Sequence, residues 1–319
     1  MSELRLPPAP KRHLLSIADL DRADVERILD TAGSLAAALD REMKKLPTLR
    51  GRTVVNLFYE SSTRTLASFE LAAKRLSADT MSIRSAGSSV DKGESLKDTA
   101  LTLAAYEPDV IVVRHPSIGA PQLVSQLTDA HVVNAGDGKH QHPTQALLDL
   151  YAMRDALGRL AGLRVAIVGD VLHSRVARSL VQALALVGGE TVLVGPPTLV
   201  PRGLEALGCE VSHNIQAIVD ADVVYVLRMQ RERMADAFVP SLREYTALYG
   251  ITPARVRERQ VVMHPGPMNR GVEIDPRVAD SDAALVTDQV RAGLVVRMAV
   301  LYDVLTVAPV EASERVGVA

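Results

Sequence analysis

The sequence contains a single cysteine, so no disulfide can form within the chain. One thiol is also too few for a structural zinc site built from several thiolates. The neighbours of Cys209, Gly208 and Glu210, offer no cation that would activate it as a nucleophile. Because disulfides are typical of oxidising compartments, we expect a cytoplasmic protein.

Aromatic residues make up only 3% of the sequence, tryptophan is absent, and the formal net charge is -2. Proteins that bind nucleic acids usually have a positively charged surface and aromatic side chains on which bases stack. The composition therefore argues against nucleic acid as a partner.

Long apolar runs are missing too. No segment approaches the ~20 consecutive apolar residues of a transmembrane helix. Residues 1–13 are rich in proline and charge and lack the apolar centre of a signal peptide. We therefore expect no membrane partner and no targeting segment.

The remaining composition is typical of a globular enzyme, with 47% apolar and 23% charged residues. A length of 319 residues exceeds what one hydrophobic core usually supports, which predicts two domains. Short apolar runs alternate with segments of helical periodicity, as in parallel sheets covered by helices. The predicted fold class is α/β, with two domains that each hold a mostly parallel sheet flanked by helices and are joined by inter-domain helices.

The apolar runs predict strands at Thr53–Tyr59, Asp109–Val113, His131–Asn134, Leu163–Val168, Glu190–Val194, Asp222–Leu227 and Gln260–Met263. Helical periodicity predicts helices at Asp24–Glu42, Leu66–Leu76, Pro143–Ala156, Arg175–Val187 and Asp288–Leu305. The most loop-like interior stretches are Ser85–Ser95 and Arg228–Tyr249.

The domain boundary is predicted near residue 142. A new strand-helix-strand series begins at Leu163, after the glycines at 158 and 162, so the helix at 143–156 is the candidate connection between domains. We assign residues 1–142 and a C-terminal helix, 290–319, to the first domain, and residues 143–289 to the second.

The stretch Ser62-Thr63-Arg64-Thr65 lies between a predicted strand and a predicted helix. The free N–H groups and positive dipole end of a helix start favour an anion, and hydroxyl donors with a guanidinium complete a phosphate site. An ordinary N-cap would explain Ser62 or Thr63, but it would leave Arg64 without a role. The pattern therefore favours an anion-binding site.

Polar side chains also follow the other predicted strands, where ligands of open parallel sheets bind. Both halves of the chain contribute donors and cations to this edge: Arg114, His142 and Gln145 in the first series, and Arg175, Arg228, Gln230 and His264 in the second.

Several of these residues have other interpretations. His142 could serve only as an N-cap before Pro143. A metal site from His140, His142 and Asp137 would lack a third firm ligand. The turn after residue 168 lacks the glycine fingerprint of a dinucleotide site, and Lys92 lacks that of a P-loop.

Four linked motifs together resemble the aspartate/ornithine transcarbamoylase family: Phe58-Tyr59-Glu60-Ser61-Ser62-Thr63-Arg64-Thr65, Val113-Arg114-His115-Pro116, His142-Pro143-Thr144-Gln145 and His264-Pro265-Gly266-Pro267. Their order and spacing match over most of the chain. Leu227-Arg228-Met229-Gln230 and His264-Pro265 resemble the aspartate branch of the family and differ from the ornithine branch.

The resemblance implies transfer of a carbamoyl group from carbamoyl phosphate to the amine of aspartate, a step of pyrimidine biosynthesis, with no cofactor and no metal. The first domain would then bind carbamoyl phosphate and the second aspartate. The resemblance places these residues on carbamoyl phosphate: Ser62, Thr63, Arg64, Thr65, Arg114, His142, Gln145, Gly266 and Pro267. It places Arg175, Arg228 and Gln230 on aspartate.

The resemblance also implies catalysis by Arg64, Thr65, Arg114 and His142 without a covalent intermediate. Thr65, Arg114 and a neutral His142 would stabilise the oxygen that gains charge as the amine attacks. We expect the helix dipole to keep His142 neutral.

In the family Ser88 and Lys92 reach into the neighbouring subunit of a homotrimer, so each active site would be shared and Lys92 would also contact aspartate. A regulatory chain or a dihydroorotase is a possible further partner.

Three rival functions stay open at the level of sequence. The first is a transcarbamoylase for another amino acid, such as ornithine. The second is a nicotinamide-dependent dehydrogenase, which the missing glycine fingerprint disfavours. The third is a catalytically silent scaffold, which the presence of Thr63, Arg64, Lys92, Arg114 and His142 disfavours.

Overall fold

The computed structural model of the protein describes residues 12–42, 44–84, 93–230 and 238–306. Within these ranges the chain forms two separate β-sheets in which every pair of neighbouring strands is parallel. The predicted α/β fold class is confirmed.

The first sheet holds four strands, β1 (Thr53–Phe58), β2 (Asp79–Arg84), β3 (Val110–His115) and β4 (His131–Asp137). Their order across the sheet is β2-β1-β3-β4. The second sheet holds five strands, β5 (Arg164–Val168), β6 (Glu190–Val194), β7 (Glu210–Ser212), β8 (Val223–Val226) and β9 (Val261–Met263). Their order is β7-β6-β5-β8-β9.

The α-helices of the described ranges are α1 (Arg22–Leu39), α2 (Thr63–Arg75), α3 (Leu96–Ala104), α4 (Ala120–Leu127), α5 (Pro143–Leu157), α6 (Arg175–Leu186), α7 (Leu242–Tyr249), α8 (Pro276–Ala279) and α9 (Val286–Thr306). Among the described residues, no helix combines the length and the apolar character needed to cross a bilayer.

The central strands are buried because their sequences are almost continuously apolar and rich in β-branched residues. β1 is buried over Val54–Phe58, and β8 is buried over its whole length. Strands covered by helices on both faces require this composition. The apolar runs therefore predicted all the central strands.

Helix α5 lies between the two halves and is buried around most of its circumference, as an inter-domain helix requires. It packs against α6 on the second side and against α1 and α9 on the first. The long C-terminal helix α9 also packs against α2, and most of its residues from Ala292 to Val304 are buried. One continuous hydrophobic core joins Val54 of β1, Leu147 of α5 and Val165 of β5.

The structure contains elements that the sequence did not predict. The outer strands β2 and β7 were not predicted, because their residues are exposed or half-buried and lack an apolar run. The interpretation of residues 228–249 as a loop is wrong for α7, whose N-cap Ser241 accepts a hydrogen bond from Glu244 N.

Candidate active site

The start of α2 lacks a side-chain cap. Ser62 is the N-cap residue, with an extended backbone (φ -159°, ψ 91°), yet its side chain makes no capping hydrogen bond. The serines that precede α6 and α7 do cap their helices with their side chains. Because the first N–H groups of a helix have no partner within the helix, this end of α2 offers donors to a ligand. Ser62 therefore occupies the N-cap position without the side-chain hydrogen bond of an ordinary cap.

His142 lies at the start of α5, directly before Pro143, and its side chain makes no capping bond either. Its backbone N–H donates to Ser179 Oγ at 2.8 Å, and its ring is buried. Within the described ranges, the ring atom Nδ1 has no hydrogen-bond partner. The ring therefore keeps a nitrogen for another molecule.

The pKa of His142 is lowered well below 6.5, mainly by burial and further by the positive charges of Arg114, Arg175 and Arg297. A neutral ring agrees with our expectation. The main cause is burial beside cations, whereas we expected the helix dipole.

Arg114 and Arg175 come from different halves of the chain but meet at one carboxylate, that of Glu60. Arg175 binds both carboxylate oxygens at 2.8 and 2.9 Å, and Arg114 binds one of them at 3.3 Å. Glu60 follows β1, and Arg175 begins α6, so this cluster links the two halves of the chain. Sequence reasoning assigned no role to Glu60, although a lone acid inside a cationic motif is a usable signal.

Gly136 fits beneath these two guanidinium groups. A Cβ atom at this position would lie 2.9 Å from Arg175 Cζ and 3.1 Å from Arg114 Nη1. Its φ of +119° is also one that side-chain-bearing residues rarely adopt. Only glycine allows the β4 backbone to approach both cations.

A second meeting point joins Arg64 to the loop after β9. A Cβ atom on Gly266 would lie 2.8 Å from Arg64 Nη1, so the guanidinium group rests against the backbone of that loop. The pKa of the buried His264 is lowered mainly by burial, against the opposing effect of Glu273, and also by Arg64 and Arg228. The charges of Arg64 in the first half and Arg228 in the second therefore act on the same ring.

Gln145 is buried and turned towards Asp149, four residues later on α5. Its Nε2 donates to Asp149 Oδ1 at 3.1 Å. Asp149 also accepts hydrogen bonds from Tyr225 Oη at 2.7 Å and from Gln289 Nε2 at 2.7 Å. Burial raises the pKa of Asp149 to about 7 despite these three donors. Sequence reasoning did not find Asp149 or Gln289.

Gln230 lies beside the start of α6. Its backbone N–H donates to Asp170 Oδ2 at 3.2 Å, and its Nε2 donates to the carbonyl of His173 at 3.2 Å. Arg175 follows His173 by two residues, so Gln230 contacts the segment that leads to Arg175.

The remaining predicted residues fall in three groups. Thr65 is buried, Ser62 is half-buried, and Thr63 and Arg64 are exposed on the first turn of α2. Pro267 is exposed and follows Gly266. Ser88 and Lys92 lie outside the described residues.

The alternative of a metal site is not supported by the arrangement of its candidate ligands. Asp137 accepts hydrogen bonds from Asn134 Nδ2 and from the N–H groups of Gly119 and Gln141, and it lies 3.1 Å from His140 Nδ1. These contacts use the carboxylate to hold its own loop. In the described part of the chain, no three His, Cys, Asp or Glu side chains are grouped to hold a metal ion.

Two family models match the chain. The model described as "Aspartate/ornithine carbamoyltransferase, carbamoyl-P binding domain" matches residues 12–155, and the model described as "Aspartate/ornithine carbamoyltransferase, Asp/Orn binding domain" matches residues 161–304.

Individual relatives agree with these models. An aspartate carbamoyltransferase catalytic subunit of Salinispora arenicola is 59% identical over 92% of this chain and 98% of its own length. A crystal structure of aspartate transcarbamoylase from Trypanosoma cruzi, in complex with N-(phosphonacetyl)-L-aspartic acid, has a TM-score of 0.85 at 32% identity, covering 96% of this chain and 100% of that one. The catalytic subunit of M. jannaschii aspartate transcarbamoylase has a TM-score of 0.80 at 38% identity, covering 92% and 97%.

Proposed function

The chain belongs to the aspartate/ornithine carbamoyltransferase family, and we propose that it transfers the carbamoyl group of carbamoyl phosphate to the amine of L-aspartate. The products are N-carbamoyl-L-aspartate and phosphate. The similarity to aspartate carbamoyltransferase catalytic subunits favours aspartate over ornithine as the acceptor.

The observation that carries this function is the convergence of cations from both halves. Arg114 of the first half and Arg175 of the second meet at Glu60. Arg64 of the first half lies against Gly266, and its charge acts with that of Arg228 of the second half on the nearby ring of His264. Carbamoyl phosphate and aspartate are both anions, so a site that joins them must neutralise both. The planar fork of arginine suits the paired oxygens of phosphate and carboxylate.

In this proposal, carbamoyl phosphate lies at the first turn of α2. Its phosphate contacts Ser62, Thr63, Arg64 and Thr65, and its carbamoyl end lies near Arg114, His142 and Gln145, with the Gly266–Pro267 backbone on the opposite side. The uncapped start of α2 and the closeness of Gly266 to Arg64 support this placement. The first sheet and its helices thus form the carbamoyl-phosphate-binding domain.

Catalysis then rests on position and charge. The amine attacks the carbonyl carbon, the carbonyl oxygen gains negative charge, and Thr65, Arg114 and His142 stabilise it. His142 serves as a neutral hydrogen-bond donor, in agreement with its lowered pKa. The C–O bond to phosphate breaks as the new C–N bond forms, and the departing phosphate accepts the amine proton.

Aspartate is held by Arg175, Arg228 and Gln230 of the second half. Lys92 of the neighbouring subunit also contacts it. Arg175 already binds one carboxylate, that of Glu60, in a bidentate manner, which is the geometry it would use on a substrate carboxylate.

The active unit in this proposal is a homotrimer with shared sites, in which Ser88 and Lys92 come from the neighbouring subunit. The outer strand β2 leads directly to that segment. Four of the six residues of β2 are exposed. Among the apolar side chains here, Met81 of β2 is 39% exposed and Leu71 of α2 is 40% exposed. An exposed edge strand beside apolar side chains is typical of a surface that another subunit covers.

The place in pyrimidine biosynthesis follows from the reaction. The cytoplasmic location and a regulatory-chain or dihydroorotase partner stay predictions of the sequence.

The function is tested by supplying purified protein with carbamoyl phosphate and a panel of amino acids. We expect a carbamoylated product with L-aspartate at a rate far above that with ornithine. Arg64→Ala is the matched control for background carbamoylation. Product formed only with ornithine would replace the proposed acceptor, and no product with any amine would refute the proposed function.

A further inference from the structure

We infer that His264 is a positioning residue for the proposed reaction, because its ring fixes the Gly266–Pro267 backbone against Arg64. The inference rests on the proposed function, since it concerns the loop that would face carbamoyl phosphate.

The His264 ring is held from both sides inside the protein. It is 1% exposed, its Nδ1 accepts a hydrogen bond from Gly266 N at 2.9 Å, and its Nε2 lies 3.3 Å from Glu273 Oε1. A backbone N–H can only donate, so Nδ1 must be the unprotonated nitrogen. The ring proton then lies on Nε2, where it points to the carboxylate. The two contacts select one tautomer.

The accepting nitrogen sets the path of the loop. Gly266 has a φ of +62°, and its Cα faces the Arg64 guanidinium so closely that a Cβ would come within 2.8 Å. A rotation of the 264–266 turn would therefore move the backbone relative to Arg64. His264 prevents this movement by bonding to the N–H group of Gly266 itself.

Glu273 connects the same ring to the next turn. Its Oε1 also accepts a hydrogen bond from Asn269 N at 2.5 Å, and Asn269 Nδ2 donates to the carbonyl of Met229 at 3.3 Å. Met229 directly follows Arg228. The ring therefore connects the Gly266 loop with the segment that contains Arg228, a proposed ligand of aspartate.

The backbone of His264 reaches the other half of the site. Its N–H donates to Gln289 Oε1 at 3.0 Å, and Gln289 Nε2 donates to Asp149 Oδ1 at 2.7 Å, the atom that also accepts from Gln145. A continuous chain of buried hydrogen bonds thus joins the loop after β9 to the second turn of α5. These hydrogen bonds hold the loop after β9 and helix α5, which would lie on two sides of the carbamoyl group, at a fixed separation.

The test uses two amides that each keep one of the two ring contacts. In His264→Asn the side-chain oxygen can take the place of Nδ1 and accept from Gly266. In His264→Gln the longer side chain reaches the Nε2 position near Glu273 and leaves Gly266 N without its acceptor. We expect kcat/KM for carbamoyl phosphate to be at least about 10-fold lower in His264→Gln than in His264→Asn, since small misplacements of a site can cost up to about 10²-fold.

Both variants lose one buried hydrogen bond and a similar part of the ring, so a merely structural role would lower thermal stability and activity equally in the two. Equal kcat/KM values would overturn the inference. The aspartate KM should differ less between them than the kcat/KM for carbamoyl phosphate. An inactive wild-type protein would refute the proposed function instead, so the two failures are distinguishable.

A second measurement needs no variant. Neutron diffraction from crystals of the deuterated wild-type protein should show deuterium on His264 Nε2 and none on Nδ1. Deuterium on Nδ1 would contradict the inference even if both variants failed to fold.

Discussion

At the scale of single residues, the protein brings together arginines from distant parts of the sequence, as Arg114 and Arg175 do at Glu60. Each arginine was predicted because it follows a strand, where ligands of parallel sheets bind. The acids that hold the site residues were not predicted: Glu60 binds Arg114 and Arg175, Asp149 binds Gln145, and Glu273 lies beside His264. The Glu60–Arg175 pair spans 115 residues, and pairing over such a distance depends on the packing of two sheets, which no local pattern encodes.

Arg64 and Arg228 should separate the two substrates in kinetics. Arg64→Ala should lower kcat by roughly 10² or more, the scale of losing a contact to developing charge. Arg228→Ala should raise the KM for aspartate far more than the KM for carbamoyl phosphate, because it pairs with one substrate only. Steady-state kinetics with each substrate varied in turn measures both. Near-normal turnover in the first variant, or equal KM changes in the second, would remove that residue from its role.

His142 should make the protein less stable in acid. Its pKa is below 6.5 in the folded state because of burial and then neighbouring arginines, whereas the unfolded side chain titrates near 6.5. As the pH falls below that value, the unfolded state binds a proton that the folded state does not, so stability decreases. One group contributes at most about 1.4 kcal/mol per pH unit.

His142→Gln should therefore lose less unfolding free energy than the wild type between pH 7.5 and 5.5. Urea unfolding at both pH values measures the difference. An equal loss in the two proteins would show that His142 takes up its proton in the folded state as well.

At the scale of elements, the helix starts divide into capped and uncapped ones. Ser241 caps α7 through Glu244 N at 3.0 Å, whereas Ser62 makes no capping bond at α2. Ser241→Ala should cost about 1 kcal/mol of stability, within the usual range for a lost cap, and leave the KM for carbamoyl phosphate unchanged.

Ser62→Ala should show the reverse, with little loss of stability and a raised KM for carbamoyl phosphate. Thermal unfolding and steady-state kinetics on the same preparations compare the two variants. If Ser62→Ala were destabilising and kinetically normal, Ser62 would be a structural cap.

The central elements were predictable because their burial imposes a strong pattern. The runs in β1, β3 and β5 are almost wholly apolar, and the long helices carry helical periodicity. The outer strand β2 alternates weakly and has four exposed positions out of six, so its sequence resembles a loop. The short helices α3, α4 and α7 contain only two or three turns, too few for periodicity to stand out.

At the scale of the whole molecule, the two halves are joined by α5, by α9 and by the Glu60 cluster. The proposed site draws its arginines from both halves. The domain boundaries stay a prediction. The trimer also stays a prediction, because contacts between subunits are a property of the assembly and a single chain does not display them.

Mixing two inactive variants tests whether the sites are shared. Trimers assembled from Arg64→Ala and Lys92→Ala chains should regain activity, because a neighbouring pair can supply one intact copy of each residue. Random assortment in a closed ring would restore roughly one site in four. Arg64→Ala mixed with Arg114→Ala is the control, since both residues would come from the same chain and no intact site could form. Equal activity in the two mixtures would refute shared sites.

The central claim is that one site, lined by arginines from both halves of the chain, holds both substrates. A crystal structure of the protein with N-(phosphonacetyl)-L-aspartic acid tests it most directly. We predict the phosphonate at the first turn of α2, within hydrogen-bond distance of Arg64, and the carboxylates against Arg175 and Arg228. A ligand bound away from the arginines of either sheet would contradict the account.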